Sequence, residues 1–217
     1  MRTAFLLTAA FLLSAPADAA PRKPARQASP AKTVPFSETS SDAPRMLNTY
    51  ARCLANGRPG TAQDLLNLPL LSASQISTFK ITITGKDSCS GSIPPAYVAK
   101  HADMVIGGMA EGLFLSRHAR DNLADLIARS AGFTARNSAE EISVCLARRD
   151  SESVLALMRT APGSNAEDAA LQKLIPDLPN CVQAHTTLAF TKPLIRIYAA
   201  GGLYLVAEAP ASGAVLR

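Results

Sequence analysis

The sequence of 217 residues contains no tryptophan, and aromatic residues make up only 5% of it. Strands favour aromatic and β-branched residues. The 47% of hydrophobic residues in this chain are instead dominated by alanine and leucine, which favour helices. We therefore predict an all-α protein, folded as a helical bundle.

Motifs that would identify an enzyme or a cofactor site are also missing. The sequence has no phosphate loop, dinucleotide fingerprint or calcium loop, and no G-x-S-x-G nucleophile elbow. Its four cysteines include no C-x-x-C pair, the spacing expected for zinc, thiol redox catalysis or haem attachment. We accordingly predict no metal and no cofactor, and we assign no catalytic residue.

No hydrophobic run is long enough to cross a bilayer, which takes roughly 20 residues. The N-terminal run from Ala4 to Leu13 follows Arg2 and is itself followed by the A-x-A sequence at residues 17–19. This pattern is typical of a cleavable signal peptide. We expect residues 1–19 to be removed on export, which leaves a periplasmic or secreted protein without a transmembrane segment.

Residues 20–45 are rich in proline, alanine, serine and basic residues, and only Val34 and Phe36 are suited to burial. Such a segment cannot repay its ordering entropy, so we predict an extended linker. It has five basic residues against two acidic ones, in a chain of net charge +5. Since nucleic-acid-binding proteins concentrate basic residues on a folded face, we expect no nucleic-acid partner. The linker could attract an anionic envelope surface, or serve only as a solubilising tether.

The two halves of the chain share a pattern. The letters CLA begin at Cys53 and again at Cys145, and a second cysteine follows each at the same spacing, at Cys89 and Cys181. AEGLFL at 110–115 likewise recurs as AGGLYL at 200–205. We infer an internal duplication, with helical repeats at 46–118 and 135–210, a connecting helix at 119–134 and a loose tail at 211–217.

Four evenly placed cysteines in an exported chain are expected to form two disulfides. Of the three possible pairings, the duplication favours Cys53 with Cys89 and Cys145 with Cys181, so that each half is stapled by one bond. Pairing across the halves and free thiols are the alternatives.

Each half is predicted to begin with an amphipathic helix that carries its first cysteine, and in the second half Ser138 and Glu141 suggest a capping box. The third helix of the first half is expected to pass into an irregular or short extended piece at KITIT, residues 80–84. Each half should end with an apolar, glycine-rich helix, the first running from Pro94 to His118. Glycines weaken helices by about 1 kcal/mol each, so we expect them to allow these two helices to approach closely.

His101, Glu111 and Arg117 are the candidate polar functional residues, on or next to the first glycine-rich helix. His101 and Glu111 lie close to three helical turns apart and could face one way without touching. A charge at Glu111 in so apolar a stretch is either functional or paired with an arginine of the first helix, such as Arg52.

Ser116, His118 and Asp121 contain the residue types of a nucleophile, a base and an acid. Residues two apart on a helix point away from each other. We therefore interpret this group as a polar helix end and not as a catalytic triad.

The signal peptide, the Pro/Ala-rich linker, the repeated CLA with its second cysteine and the sequence GGMAEGLF together resemble exported proteins of unknown activity from alphaproteobacteria of the sphingomonad type. The resemblance covers about residues 46–205, implies an envelope protein and carries over no catalytic residue. We expect a non-enzymatic module that binds another envelope component, through a groove between the halves or the face around the glycine-rich helices. An envelope hydrolase with dispersed residues and a self-associating structural or stress protein are the alternatives, and the oligomeric state stays open.

Overall fold

Helices make up all the regular structure in the part of the chain that the computed structural model describes, which is residues 42–83, 88–91, 93–182 and 189–209. These residues belong to one compact unit, Val34–Arg217. The predicted all-α class is confirmed. The predicted signal peptide, all but the end of the predicted linker, and the predicted tail lie outside the described residues.

The α-helices of the described ranges are, in chain order, α1 (Ala43–Gly57), α2 (Pro59–Leu66), α3 (Ala73–Thr82), α4 (Pro95–Lys100), α5 (Ala102–Arg117), α6 (Leu123–Arg129), α7 (Ser138–Arg149), α8 (Ser151–Met158), α9 (Asn165–Leu174), α10 (Leu178–Cys181) and α11 (Lys192–Glu208). Two 3₁₀ turns lie at Ser130–Gly132 and Ile175–Asp177. The predicted connecting helix at 119–134 corresponds in the structure to α6 and the first of these 3₁₀ turns.

Polar side chains define where several of these helices begin. Ser72 and Ser164 precede α3 and α9, and each hydroxyl accepts a hydrogen bond of 3.1 Å from the backbone N–H three residues later. Helix α7 is capped by Asn137, whose side chain accepts from the Glu140 N–H at 2.9 Å. The predicted Ser138 capping box is therefore wrong by one residue, because Asn137 is the residue that takes the extended backbone conformation of a cap.

The predicted helix from Pro94 to His118 is divided in two at His101. His101 has φ −111° and ψ 39°, outside the helical region. Its N–H still donates to the Tyr97 carbonyl, and its own carbonyl accepts from the Val105 N–H. The chain bends at His101 without losing these hydrogen bonds. The apolar pattern of the sequence continues through the bend and therefore does not indicate it.

Two other predicted boundaries differ from the structure. Residues 80–82 of the KITIT sequence are helical, and Ile81 is 77% exposed, so the alternation does not mark an extended piece there. Helix α1 begins at Ala43, inside the predicted linker, since Pro44 suits a first helical turn.

The apolar helices α5 and α11 pack against each other, with α1 against α5 and α7 against α11. Glycines make these contacts close: a Cβ at Gly108 would lie 2.6 Å from the Ala51 side chain, and one at Gly112 would lie 2.9 Å from that of Ala55. Gly202 lies in the same way against the backbone of α7. The predicted role of glycines in helix approach is confirmed, but these three face α1 and α7. Between the two glycine-rich helices themselves, the close contact is that of Gly107, where a Cβ would lie 2.8 Å from the Ile197 side chain.

Both predicted disulfides are present, Cys53–Cys89 and Cys145–Cys181, with Cα atoms 5.7 and 5.5 Å apart. All four cysteines are thereby paired. Disulfides form and persist in oxidising compartments, so the pairing suggests an extracytoplasmic location. Among the helices of the described ranges, none combines the length and the apolar character needed to cross a bilayer.

Corresponding parts of the two halves have the same local structure. Helices α2 and α8 each have 8 residues, and α3 and α9 each have 10. Leu71 and Gly163 both have positive φ, 56° and 77°, and each directly precedes a serine cap. These correspondences are consistent with the duplication, which stays a prediction.

Candidate functional site

A buried ion pair between α5 and α11 is the centre of the candidate site. Glu111 is fully buried, and Arg196 is 6% exposed. Arg196 donates to both carboxylate oxygens of Glu111, from Nε to Oε2 at 2.9 Å and from Nη2 to Oε1 at 2.8 Å. This two-pronged geometry fixes both side chains and joins the middle of α5 to the second turn of α11.

The remaining N–H groups of the Arg196 guanidinium donate to residues in two places, the segment between α8 and α9 and the first turn of α9. Nη1 of Arg196 donates to Glu167 Oε1 at 2.9 Å and to Thr160 Oγ1 at 3.1 Å, and Nη2 donates to the Thr160 carbonyl at 2.9 Å. The second oxygen of Glu167 accepts from the Gly163 N–H at 2.7 Å. The positive φ of Gly163 and the Ser164 cap place Glu167 facing inward, where Arg196 can reach it.

Helix α1 closes the cluster from the other side. Arg52 donates to Glu111 Oε1 and, at 2.6 Å, to the Met158 carbonyl. Asn48, one turn earlier on α1, donates to Glu111 Oε2 at 3.3 Å. The sequence-based alternative that Glu111 pairs with Arg52 is confirmed, and Arg196 is a second and more deeply buried partner.

The cluster is electrically balanced, with two arginines and two glutamates. Burial alone would lower the pKa of Arg196, but the carboxylates of Glu111 and Glu167 outweigh burial and raise that pKa. Arg196 therefore keeps its charge inside the protein.

A cavity of about 150 Å³ lies against this cluster. Its walls are almost wholly apolar, and its polar lining is the edge of the cluster together with Lys192. The lining residues are Pro44, Asn48, Met104, Gly107, Gly108, Glu111, Pro162, Gly163, Glu167, Lys192, Pro193, Arg196 and Ile197. They come from both halves of the chain, so the cavity occupies the kind of groove that the sequence predicts.

Of the three predicted polar residues, only Glu111 lines this cavity. His101 lies at the bend between α4 and α5, where its ring contacts Tyr97 at a centroid distance of 4.4 Å. Arg117 ends α5 and pairs with Glu208 of α11 at 3.1 Å. The structure does not bring the three together, because they lie at the two ends and the middle of α5.

The Ser116, His118 and Asp121 group is a polar helix end, as its helical spacing predicts. His118 lies between two carboxylates, with Nδ1 2.9 Å from Asp121 and Nε2 3.2 Å from Glu208. The Ser116 hydroxyl donates to the Leu113 carbonyl instead of facing the imidazole.

Sequence reasoning missed Arg196 and Glu167. Arg196 carried a usable signal, since it is the only charged residue in the apolar stretch from residue 193 to 207. In the sequence, Glu167 resembles any acidic residue in the first turn of a helix, where the helix dipole alone accounts for it. Its burial depends on the turn at Gly163, which the pattern of charges does not reveal.

At the position of the second half that corresponds to Glu111 in the predicted repeat, a side chain from the first half fills the space. Gly201 takes the place of Glu111 in the repeated AEGLFL and AGGLYL sequences. The Leu70 side chain occupies the space beside it, since a Cβ on Gly201 would lie 2.6 Å from Leu70 Cδ2. Pro162, which lines the cavity, is the counterpart of Leu70 at the offset that matches the cysteines. Under the predicted duplication, Leu70 beside Gly201 fills the place that corresponds to the cavity beside Glu111.

Within the described ranges, no three His, Cys, Asp or Glu side chains come together as a metal site requires. Comparisons with protein-family models, curated proteins and solved structures found no match to the chain.

Proposed function

We propose that the protein is a non-enzymatic binding module of the cell envelope, and that the cavity between α1, α5, α9 and α11 is its binding site. The observation that carries the proposal is an apolar cavity set against an ion-paired polar cluster in which both oxygens of Glu111 accept hydrogen bonds. An apolar cavity of about 150 Å³ can hold a molecule the size of benzene. The ligand is therefore an apolar group of that size on an envelope component.

The paired state of the cluster favours binding over hydrolysis. A general base needs a free lone pair within reach of its substrate, and both oxygens of Glu111 already accept hydrogen bonds from two arginines and Asn48. His101 and His118 do not line the cavity.

The compartment is the second support for the proposal. Two disulfides and the signal-peptide pattern at residues 1–19 both favour an exported protein. Self-association has less support, because Ile81 and Ile175 are the large hydrophobic residues exposed in the described ranges, and two residues do not form a broad apolar face.

Toluene, which is uncharged and close to benzene in size, tests whether the cavity binds. We expect it to raise the melting temperature of the oxidised protein and to bind once per chain in isothermal titration calorimetry, because a ligand that binds only the folded state stabilises it. Absence of both effects would remove the proposed site.

A matched pair of variants locates the binding. Met104→Trp places an indole in the cavity, while Leu115→Trp adds the same group to a half-buried position on the same helix that does not line it. Toluene should no longer bind Met104→Trp and should still bind Leu115→Trp. Circular dichroism checks first that both variants fold, and equal toluene binding by the two would place the site elsewhere.

A further inference from the structure

The cavity lies beside the start of α1, where the N-terminal part of the chain joins the helices. Pro44, in the first turn of α1, is one of the residues that line it. Ala43 is 2% exposed, so the chain is already packed against the protein at this point. The residues that precede α1 are therefore tethered at the cavity by their own backbone.

The cavity also opens to solvent. Gly163, Lys192 and Pro193 line it and are exposed, so a side chain can enter from outside. Apolar walls in contact with water favour filling by an apolar group. They select a side chain without polar atoms, because a polar group buried without hydrogen-bond partners costs free energy.

One side chain upstream of α1 has this character and the right size. Between residues 20 and 43, Phe36 is the only aromatic residue, and Val34 is the only other large apolar residue. The phenylalanine side chain is a benzyl group, and a cavity of about 150 Å³ can hold a molecule the size of benzene. Toluene, the probe of the proposed site, is the free-molecule analogue of this side chain.

Phe36 is near enough along the chain to enter the cavity. It precedes Pro44, a lining residue, by eight positions, and an extended chain of that length spans roughly 26 Å. A short tether holds a group at an effective concentration on the order of millimolar. With a dissociation constant of about 0.1 mM, which is attainable for a group of this size, Phe36 fills the cavity about ten times as often as it leaves it empty.

We propose that Phe36 occupies the cavity of its own chain until an external ligand displaces it. This inference rests on the proposed binding function and adds the regulation of the same site to it. An apolar group of an envelope component competes with Phe36 for one space. Binding of that group therefore releases the N-terminal segment from the helices.

Toluene binding by two linker variants tests the occupancy. The oxidised protein without residues 1–19 is measured as the native chain, as Phe36→Ala and as Val34→Ala, the matched truncation two positions away. Phe36→Ala should bind toluene about tenfold more tightly than the native chain in isothermal titration calorimetry, because its cavity has no internal competitor. Val34→Ala should bind as the native chain does. Equal affinities for the native chain and Phe36→Ala would overturn the inference.

The Met104→Trp variant gives a second readout, which does not depend on toluene. Phe36→Ala should lower the melting temperature of the native chain, because it removes a contact of the folded state. It should have no effect in Met104→Trp, whose indole already fills the cavity, and its full effect in Leu115→Trp. Circular dichroism measures all three pairs. A loss of the same size in Met104→Trp would place the Phe36 contact outside the cavity and contradict the proposal.

Protein concentration distinguishes the chain's own Phe36 from that of a second copy. Occupancy within one chain does not depend on concentration, so the affinity difference between the native chain and Phe36→Ala should be the same in dilute and concentrated samples. A difference that grows with concentration, accompanied by dimers in analytical ultracentrifugation, would put a second copy's Phe36 in the cavity and overturn the assignment.

The same titrations separate failure of this inference from failure of the proposed function. If toluene binds the native chain and Phe36→Ala equally, the cavity is a binding site without an internal occupant, and only this inference is wrong. If toluene binds neither, the cavity is not a binding site, and both are wrong.

Discussion

Arg196 and Arg52 both donate to Glu111, but they differ in burial. The side chain of Arg196 is 8% exposed and also bonds Glu167, whereas that of Arg52 is 34% exposed. Removing one partner of a buried ion pair leaves a charge without compensation. Removal of Arg196 leaves the buried Glu167 without a cation and Glu111 with only the more exposed Arg52, so Arg196 should matter far more to stability.

We expect Arg196→Met to lower the free energy of unfolding by about 3–5 kcal/mol. Arg52→Met, the matched variant, should lower it by about 1 kcal/mol, because solvent reaches that side chain. Urea unfolding monitored by circular dichroism measures both. Equal losses would show that the burial difference does not control the energetics of the cluster.

Glu140, at the start of α7, is a third buried carboxylate, and it does not line the cavity. Burial would raise its pKa, but hydrogen bonds from the Arg136 side chain and backbone and from the Leu70 N–H outweigh burial and lower that pKa below 4.5. The charged form is thus favoured by the fold. It stabilises the protein above pH 4.5, and this contribution is lost as the pH falls through the lowered pKa.

Glu140→Gln should therefore reduce the free energy of unfolding by about 1–3 kcal/mol at pH 7, where a charged acceptor is lost. Since glutamine does not titrate, the difference from the wild-type protein should shrink below pH 4.5. Denaturant unfolding at a series of pH values measures this difference. A gap that stays constant down to pH 2 would contradict the lowered pKa.

Among the elements, the segment between α2 and α3 supplies the side chain that packs beside Gly201 of α11. Leu70 lies in this segment, is 3% exposed and packs on Gly201 of α11. The Asn137 side chain bonds its carbonyl at 2.9 Å, and Glu140 bonds its N–H at 3.0 Å. The Leu70 backbone is thus held by α7 while its side chain fills the space beside α11.

Leu70→Ala should lower the free energy of unfolding by about 2–5 kcal/mol, as expected when a buried leucine is truncated. Gly201→Ala should also destabilise the protein, because its new Cβ would collide with Leu70 Cδ2. In the double variant the alanine at position 201 enters space that Leu70 no longer fills. The combined loss should then be smaller than the sum of the two, and simple additivity in urea unfolding would mean that the two side chains do not share this space.

Helix periodicity, caps and glycines in this sequence were sufficient to predict most elements and their packing. The bend at His101 could not be predicted, because it preserves the backbone hydrogen bonds and leaves the apolar pattern of α4 and α5 continuous. The extent of α3 was missed for a different reason. Its residues alternate like a strand, but Ile81 faces solvent, so tertiary context decides the outcome.

At the scale of the whole molecule, the disulfide pairing could be predicted from the repeated cysteine spacing. A groove between the halves was one of two alternatives that follow from a tandem helical architecture. The composition of the site could not, apart from Glu111 and its partner Arg52. Arg196 lies 85 positions from Glu111 in the sequence, and no local sequence pattern indicates that the two side chains are in contact. Their contact depends on the packing of α5 against α11, which only the folded chain establishes.

The buried cluster also affects how the protein would behave if its chain were cleaved just before α7. Asn48, Arg52 and Glu111 precede α7, while Glu167 and Arg196 follow it. A fragment ending before α7 would keep Glu111 without Arg196, and the complementary fragment would keep Arg196 without Glu111. Each fragment would thus be a poor folding unit by itself and a specific partner for the other, so that mixing the two should restore a noncovalent whole that neither can form alone.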